Sequence, residues 1–287
     1  MRLFNSENAH WYRRDGEPLH SVLSAKGEPR PTNVRDARKL GLLPSVTNVL
    51  GVISKPELVE WKMTQAVLAA LTLPRLEGEG EDAFAKRVVE DSQSRVRTAM
   101  DFGTAFHAGA EQVAKNLEVD PAGPYAAWLK LHRDWFQANC IRVVWAERVL
   151  VSNELGYAGT ADLLIEHQAY GLTLVDYKTQ GVKPGNTARA YGSWCQQLAA
   201  YRRAIGKSMA CLSVIVNSTE PSAPVEHLWS EEDLRSGLES FEAALVIWRN
   251  EKGYDPRSQQ ERTERTEKFG EPVTVQNTKG TKVTKER

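Results

Sequence analysis

Apolar and polar positions change period several times along the chain, and each change marks an element. Ile141, Val143, Trp145, Val149 and Val151 fall on alternate positions, with Glu147 in the same series, which predicts a strand over 141–151. Two more runs, 157–167 and 171–179, are joined by a short turn at Gly171 and predict an antiparallel pair. The run "ACLSVIVN" (210–217) predicts a further buried strand. Helical spacing governs the rest. It is carried by Leu58, Trp61, Gln65 and Leu68 before Pro74, then by Ala99, Phe102, Phe106, Ala110, Val113 and Leu117 over 98–117. Tyr125, Trp128, Trp135 and Phe136 carry it over 122–139, and Trp194, Leu198, Tyr201 and Ile205 over 187–206, with a last helix at 230–249.

Local signals add boundaries. Asp15-Gly16 predicts a hairpin within 10–23, and Ser54-Lys55-Pro56-Glu57 has the pattern of a capping box. The glycine-broken acidic stretch 76–87 predicts a mobile connection. The order helix, three strands, helix, strand predicts an α/β fold, with a mixed sheet because a helical crossover follows the antiparallel pair. Residues 1–42 form an N-terminal hairpin and connection, 43–252 the main domain, and 253–287 a polar, flexible tail.

Composition narrows the function classes. The 287 residues are 41% hydrophobic and 26% charged, without an apolar run long enough to span a membrane or an apolar leader at the start. Formal charge is zero, so any nucleic-acid contact must rest on a local basic face, for which Arg189, Arg202, Arg203 and Lys207 are the candidates. Three scattered cysteines predict reduced thiols and a cytoplasmic setting.

The strand pair also carries ionisable groups where apolar ones are expected. Leu172, Leu174, Asp176 and Lys178 share one face, as do Thr160, Asp162, Leu164 and Glu166 on the neighbouring strand. The turn can bring Asp162 close to Asp176, and two such carboxylates repel unless a proton or cation lies between them. A hard divalent ion such as Mg²⁺ fits. Lys178 gives that ion a purpose, since an ammonium can orient an attacking water or neutralise a phosphate in transition. Together these groups favour phosphodiester hydrolysis. An Asp-x-Lys taken alone is more often a solvated ion pair, so the other candidates matter.

His107 and Glu111 stand at i and i+4, where a histidine can be structural or an imidazole ligand, and Gly103 permits a close approach. Glu147 lies among apolar residues and calls either for a site or for an arginine partner. Gln197 and Tyr201 are also at i and i+4, with Tyr201 on an apolar stripe.

Gly-x-x-x-His (103–107), Gly-x-x-Asp (159–162), Asp-x-Lys-Thr (176–179) and Gln-x-x-x-Tyr (197–201) occur in one order. The set resembles the RecB-type branch of the PD-(D/E)XK nuclease superfamily. The opening "LPSVTNVLGVISKPELVEW" looks like phage-borne exonucleases of that branch and, more distantly, the mitochondrial genome maintenance exonuclease. Similarity spans about 43–206. The resemblance implies a restriction-endonuclease-like αβββαβ core with flanking helices. It implies metal ligands at His107, Asp162, Asp176 and the Tyr177 carbonyl, with Lys178 catalytic. Gln197, Tyr201, Gly103 and Thr179 would support the site, while Glu111 and Glu147 order waters around the ion. Mg²⁺ is the implied cofactor, with Mn²⁺ substituting. The branch's iron–sulfur members use four cysteines, so no iron–sulfur cluster is expected in a chain with three.

The implied activity is a DNA exonuclease preferring single-stranded ends in phage or bacterial recombination, replication or repair, with a recombination or replication protein as partner and no membrane. The helices within 55–100, with Trp61, Lys86, Arg87, Arg95 and Arg97, would cover the cleft and grip a strand. A flap- or branch-specific endonuclease and a non-catalytic DNA-binding recombination module are the alternatives.

Overall fold

A computed structural model describes residues 10–117, 120 and 123–257, the side chain of Arg95 excepted. The elements run β1 (Trp11–Tyr12), β2 (Ser21–Leu23), β3 (Pro29–Pro31), α1 (Val34–Leu40), β4 (Leu43–Pro44), α2 (Val46–Val49) with a 3₁₀ turn (Leu50–Val52), α3 (Pro56–Thr72) and α4 (Glu81–Ala114). They continue with α5 (Ala126–Asn139), β5 (Cys140–Ser152), β6 (Tyr157–His167), β7 (Gly171–Gln180), α6 (Gly192–Ile205), β8 (Ala210–Asn217), β9 (Val225–Leu228) and α7 (Glu231–Lys252).

The fold is α/β around a mixed sheet of order β5-β6-β7-β8-β9. β7 and β8 are parallel, joined across α6, and the other neighbours are antiparallel. Alternation along the strands serves two apolar layers. Leu164, Leu174 and Cys211 face α6, α7 and the N-terminal elements, packing with Leu198, Phe241, Trp248, Trp11 and Leu42. Leu163, Ile165, Val175, Tyr177, Leu212 and Val214 face α4 and α5, where Phe102, Phe106, Leu129 and Trp135 meet them. Residues 10–42 thus share a core with α7, and the Tyr254 hydroxyl donates to the carbonyls of Ala37 and Leu42. The tail beyond 257 lies outside the described residues.

Several local expectations change. The turn at Asp15-Gly16 forms, with Gly16 at φ 93° and Tyr12 bridged antiparallel to Pro18, and β1 pairs in addition with β4 (Trp11 with Pro44) while β2 and β3 make their own pair around Gly27. Leu43 is fully buried and packs with Tyr12, whereas Leu23 is exposed. Ser54 does not cap α3. Lys55 is the cap residue, makes no side-chain cap bond, and Pro56 supplies the first helical position. The apolar spacing of α3 is real, yet Leu58, Trp61 and Leu68 are all exposed. The acidic stretch turns helical at Glu81, so the helix predicted from 98 is the second half of α4, with Leu117 outside it. In β5 a register shift between Val143 and Trp145 divides the predicted single face between the two layers. β9 was not read from the sequence at all.

Candidate active site

Register brings the acidic residues together. Leu163 pairs with Val175, and one step further Asp162 and Asp176 face each other. On the other side Ala146 pairs with Leu163 and Arg148 with Ala161, which sets Glu147 opposite Asp162. Three carboxylates therefore line up across β5, β6 and β7. The β6–β7 ladder ends at Leu163–Val175, which frees the Tyr177 amide, and it donates to Asp162 Oδ2 at 2.7 Å. Glu147 has φ 48°, a left-handed backbone that a glutamate adopts at a cost of roughly 1–3 kcal/mol.

His107 reaches this point from α4, with Nδ1 3.5 Å from Asp162 Oδ2. His107, Glu147 and Asp162 each bring one ligand atom within 4.8 Å of the others. Asp176 falls outside that trio. It is 2% exposed, its Oδ2 is 2.5 Å from Lys178 Nζ, and its Oδ1 accepts from Gln197 Nε2 at 3.2 Å. Lys178 also donates to Gln197 Oε1 at 3.0 Å, and Gln197 donates to the Tyr201 hydroxyl at 3.3 Å. Gln197 is thus the junction that holds carboxylate and ammonium in one arrangement. Tyr201 is buried against Gly159, where a Cβ would lie 2.8 Å from its ring. Gly103 approaches Thr179 less closely, with a Cβ there 3.2 Å from the hydroxyl. Glu111 is ion-paired with Lys115 at the edge of the group.

The electrostatics follow from this crowding. Burial pushes Asp176 up to about 6, with Asp162 adding to the rise and Lys178 opposing it. Burial likewise pushes Glu147 up to about 7, reinforced by Asp162 and Glu111. Asp162 goes the other way: burial would raise it, but His107, Lys178 and the Tyr177 amide hold it below the usual carboxylate range. His107 is raised, because Asp162 and Asp176 outweigh its burial.

The donor set fits a hard divalent cation. Three carboxylates and an imidazole face one ammonium, leaving excess negative charge, and buried Asp176 Oδ2 touches Lys178 without a directed hydrogen bond. Carboxylates suit hard divalent ions and an imidazole is a common ligand of transition metals, so the mixed set suits a divalent metal without singling one out. The three cysteines are free thiols, Cys195 and Cys211 buried and Cys140 partly so.

Two residues at the site were missed by the sequence. The Tyr12 hydroxyl hydrogen-bonds Thr160 Oγ1 at 3.1 Å, and its pKa is raised by burial and also by Glu147. The pKa of Lys55 is lowered by burial and then by the charges of Lys178 and Lys62, so it is coupled to the site through its charge. Neither carries a local signal, because both arrive from distant parts of the chain. The cations expected to grip a strand divide. Arg87 is held by Glu79 and the Pro74 carbonyl, Arg202 by Glu231, and Arg203 by Glu154, while Arg189 and Lys207 are exposed. Nearby carboxylates on the same surface account for the three that are engaged.

No protein-family model matches the chain, and no curated protein does. Among solved structures it is similar to a Eubacterium rectale protein provisionally named an exonuclease, with 10% identity over 82% of this chain and 97% of that one, and a TM-score of 0.32. So slight a likeness carries nothing about activity. Among the described residues no helix is long and apolar enough to cross a membrane.

Proposed function

We propose that this protein is a metal-dependent deoxyribonuclease that hydrolyses phosphodiester bonds from single-stranded ends. One observation carries the reading: buried Asp176 holds Lys178 beside a His107–Glu147–Asp162 group able to take a divalent ion. His107, Glu147 and Asp162 would hold the ion, with Asp176 and the Tyr177 carbonyl at its margin. A divalent ion there supplies Lewis acidity toward a phosphoryl oxygen.

The chain's own residues do the rest. Asp162 is kept ionised by His107 and the Tyr177 amide, so it is ready as a ligand at neutral pH. Lys178, fixed between Asp176 and Gln197 Oε1, presents an N–H to the reacting phosphate or to the attacking water. Gln197 and Tyr201 are positioning residues, since they act through Asp176 and Lys178.

The test is Lys178→Met with Mg²⁺ and labelled single-stranded DNA. Cleavage falls by about 100-fold or more, while Mn²⁺ binding, measured by calorimetry, is retained because no proposed ligand has been removed. Undiminished cleavage in this variant sinks the assigned role.

A further inference from the structure

From Tyr177 to Thr219 the chain carries six lysines and arginines and not one aspartate or glutamate, although the whole protein has 37 of each class. Lys178 is in the site, and Arg202 and Arg203 are taken by Glu231 and Glu154. Lys207 lies beyond the far end of α6, a helix of 14 residues and so about 20 Å long. That leaves Lys183 and Arg189. Both are exposed on the loop 181–191, and among the described residues neither has a carboxylate partner.

The loop is built rather than slack. Gln180 follows Lys178 by two positions on β7, so its side chain leaves the same face about 6.6 Å away along the strand. Its Oε1 accepts from the Arg189 amide at 2.9 Å, and its Nε2 donates to the Arg189 carbonyl at 3.2 Å and to the Tyr191 hydroxyl at 3.0 Å. One side chain therefore closes the loop as a neighbouring strand would. The outgoing limb is pinned separately, since the Val182 amide donates to Asn217 Oδ1 at 3.0 Å and the Ser218 amide to the Gln180 carbonyl at 2.9 Å. Between the limbs is a polar cavity of about 460 Å³, lined by Gly181, Lys183, Asn186, Thr187 and Arg189 among others.

We propose that the loop 181–191 is a phosphate-binding subsite that holds the nucleic-acid backbone beside the scissile bond through Lys183 and Arg189. The proposal rests on the nuclease reading, which supplies the strand and its direction toward Lys178. Two cations without acidic partners, at the mouth of a polar cavity and one residue pair from the reacting lysine, suit a polyanion that continues past the site. The loop contains no acidic residue to repel it.

The experiment uses the full chain, the double variant Lys183→Ala/Arg189→Ala, and Lys26→Ala as a control that removes an exposed charge from the turn between β2 and β3. Binding of a fluorescent single strand is followed by anisotropy in EDTA across a salt series, and Mg²⁺-dependent cleavage by steady-state kinetics. The log–log salt slope of the double variant becomes shallower by about 1.4, at about 0.7 per phosphate contact. Its KM rises on the order of tenfold while kcat changes by less than about twofold, and Lys26→Ala matches the parent. An unchanged slope and KM in the double variant overturns the subsite and leaves the nuclease reading intact. An equal loss in Lys26→Ala also overturns it, since the effect is then net charge. A slope that depends on the loop in a parent that never cleaves keeps the subsite and removes the nuclease reading. A parent that binds no strand removes both.

Discussion

Glu147 and Asp176 share a condition: each is an acid whose pKa burial raises, to about 7 and about 6. Below those values they hold protons that a cation must displace, and above them they are anions that a cation relieves. Metal affinity is therefore expected to weaken steeply as pH falls from 8 to 5.5, which a Mn²⁺ titration by calorimetry at the two pH values measures. Equal affinity at both would show that these carboxylates do not meet the ion. His132 titrates with the opposite sense for stability. It is fully buried, its Nε2 is 2.9 Å from the Tyr177 hydroxyl, and burial lowers it to about 4. A base with a lowered folded pKa gives stability that is present above the unfolded value, near 6.5, and lost as pH falls toward 4. His132→Phe is accordingly expected to unfold at a lower temperature at pH 7.5, by about 1–3 kcal/mol for the orphaned hydroxyl. It also loses less stability between pH 6.5 and 4 than the parent does, as thermal melts across that range would record. Gly159 is the third such point. Gly159→Ala puts a methyl 2.8 Å from Tyr201 and displaces the ring that supports Gln197. Cleavage should drop by about tenfold or more with metal binding preserved, and a fully active variant would show that Tyr201 positions nothing.

At the level of elements, the strands that build the site were the most legible part of the sequence. Runs 157–167 and 210–217 have the boundaries that apolar periodicity predicted, because β6 and β8 are buried on both faces and leave the pattern little freedom. The face shared by Leu174, Asp176 and Lys178 was legible for the same reason. Glu147 was harder, since its role depends on a left-handed residue and register shifts in β5 that no spacing records. The N-terminal pairing of β1 with β4 and the docking of Tyr12 on Thr160 depend on contacts between residues far apart in sequence. Helix α6 starts at Gly192 rather than 187 because Gln180 claims the backbone of Arg189. The packing of α4 on α5 gives a further prediction. A Cβ on Gly109 would lie 2.5 Å from Leu129, so Gly109→Ala should destabilise the protein by about 1–3 kcal/mol. Its Tm falls, yet Mn²⁺ binding survives in the folded protein, because His107 projects from a neighbouring position of the same helix.

Across the whole molecule, charge sums to zero, but its arrangement does not. Acidic groups gather where β5, β6 and β7 meet α4, and the long segment after Asp176 is free of them. One surface thus combines the proposed ion-holding centre with a cationic flank, an arrangement that suits a phosphodiester strand better than a purely structural ion pair. The two apolar layers fix that surface from both sides, α6 bringing Gln197 from one and α4 bringing His107 from the other. The most direct measurement is a time course with Mg²⁺ on 5′- and 3′-labelled single strands and duplexes, run beside Asp176→Asn. Progressive shortening or early release of label from single-stranded ends, absent in the variant and in EDTA, is the predicted result. Discrete internal products would replace the exonuclease with an endonuclease. Intact substrate with both Mg²⁺ and Mn²⁺ would contradict the account.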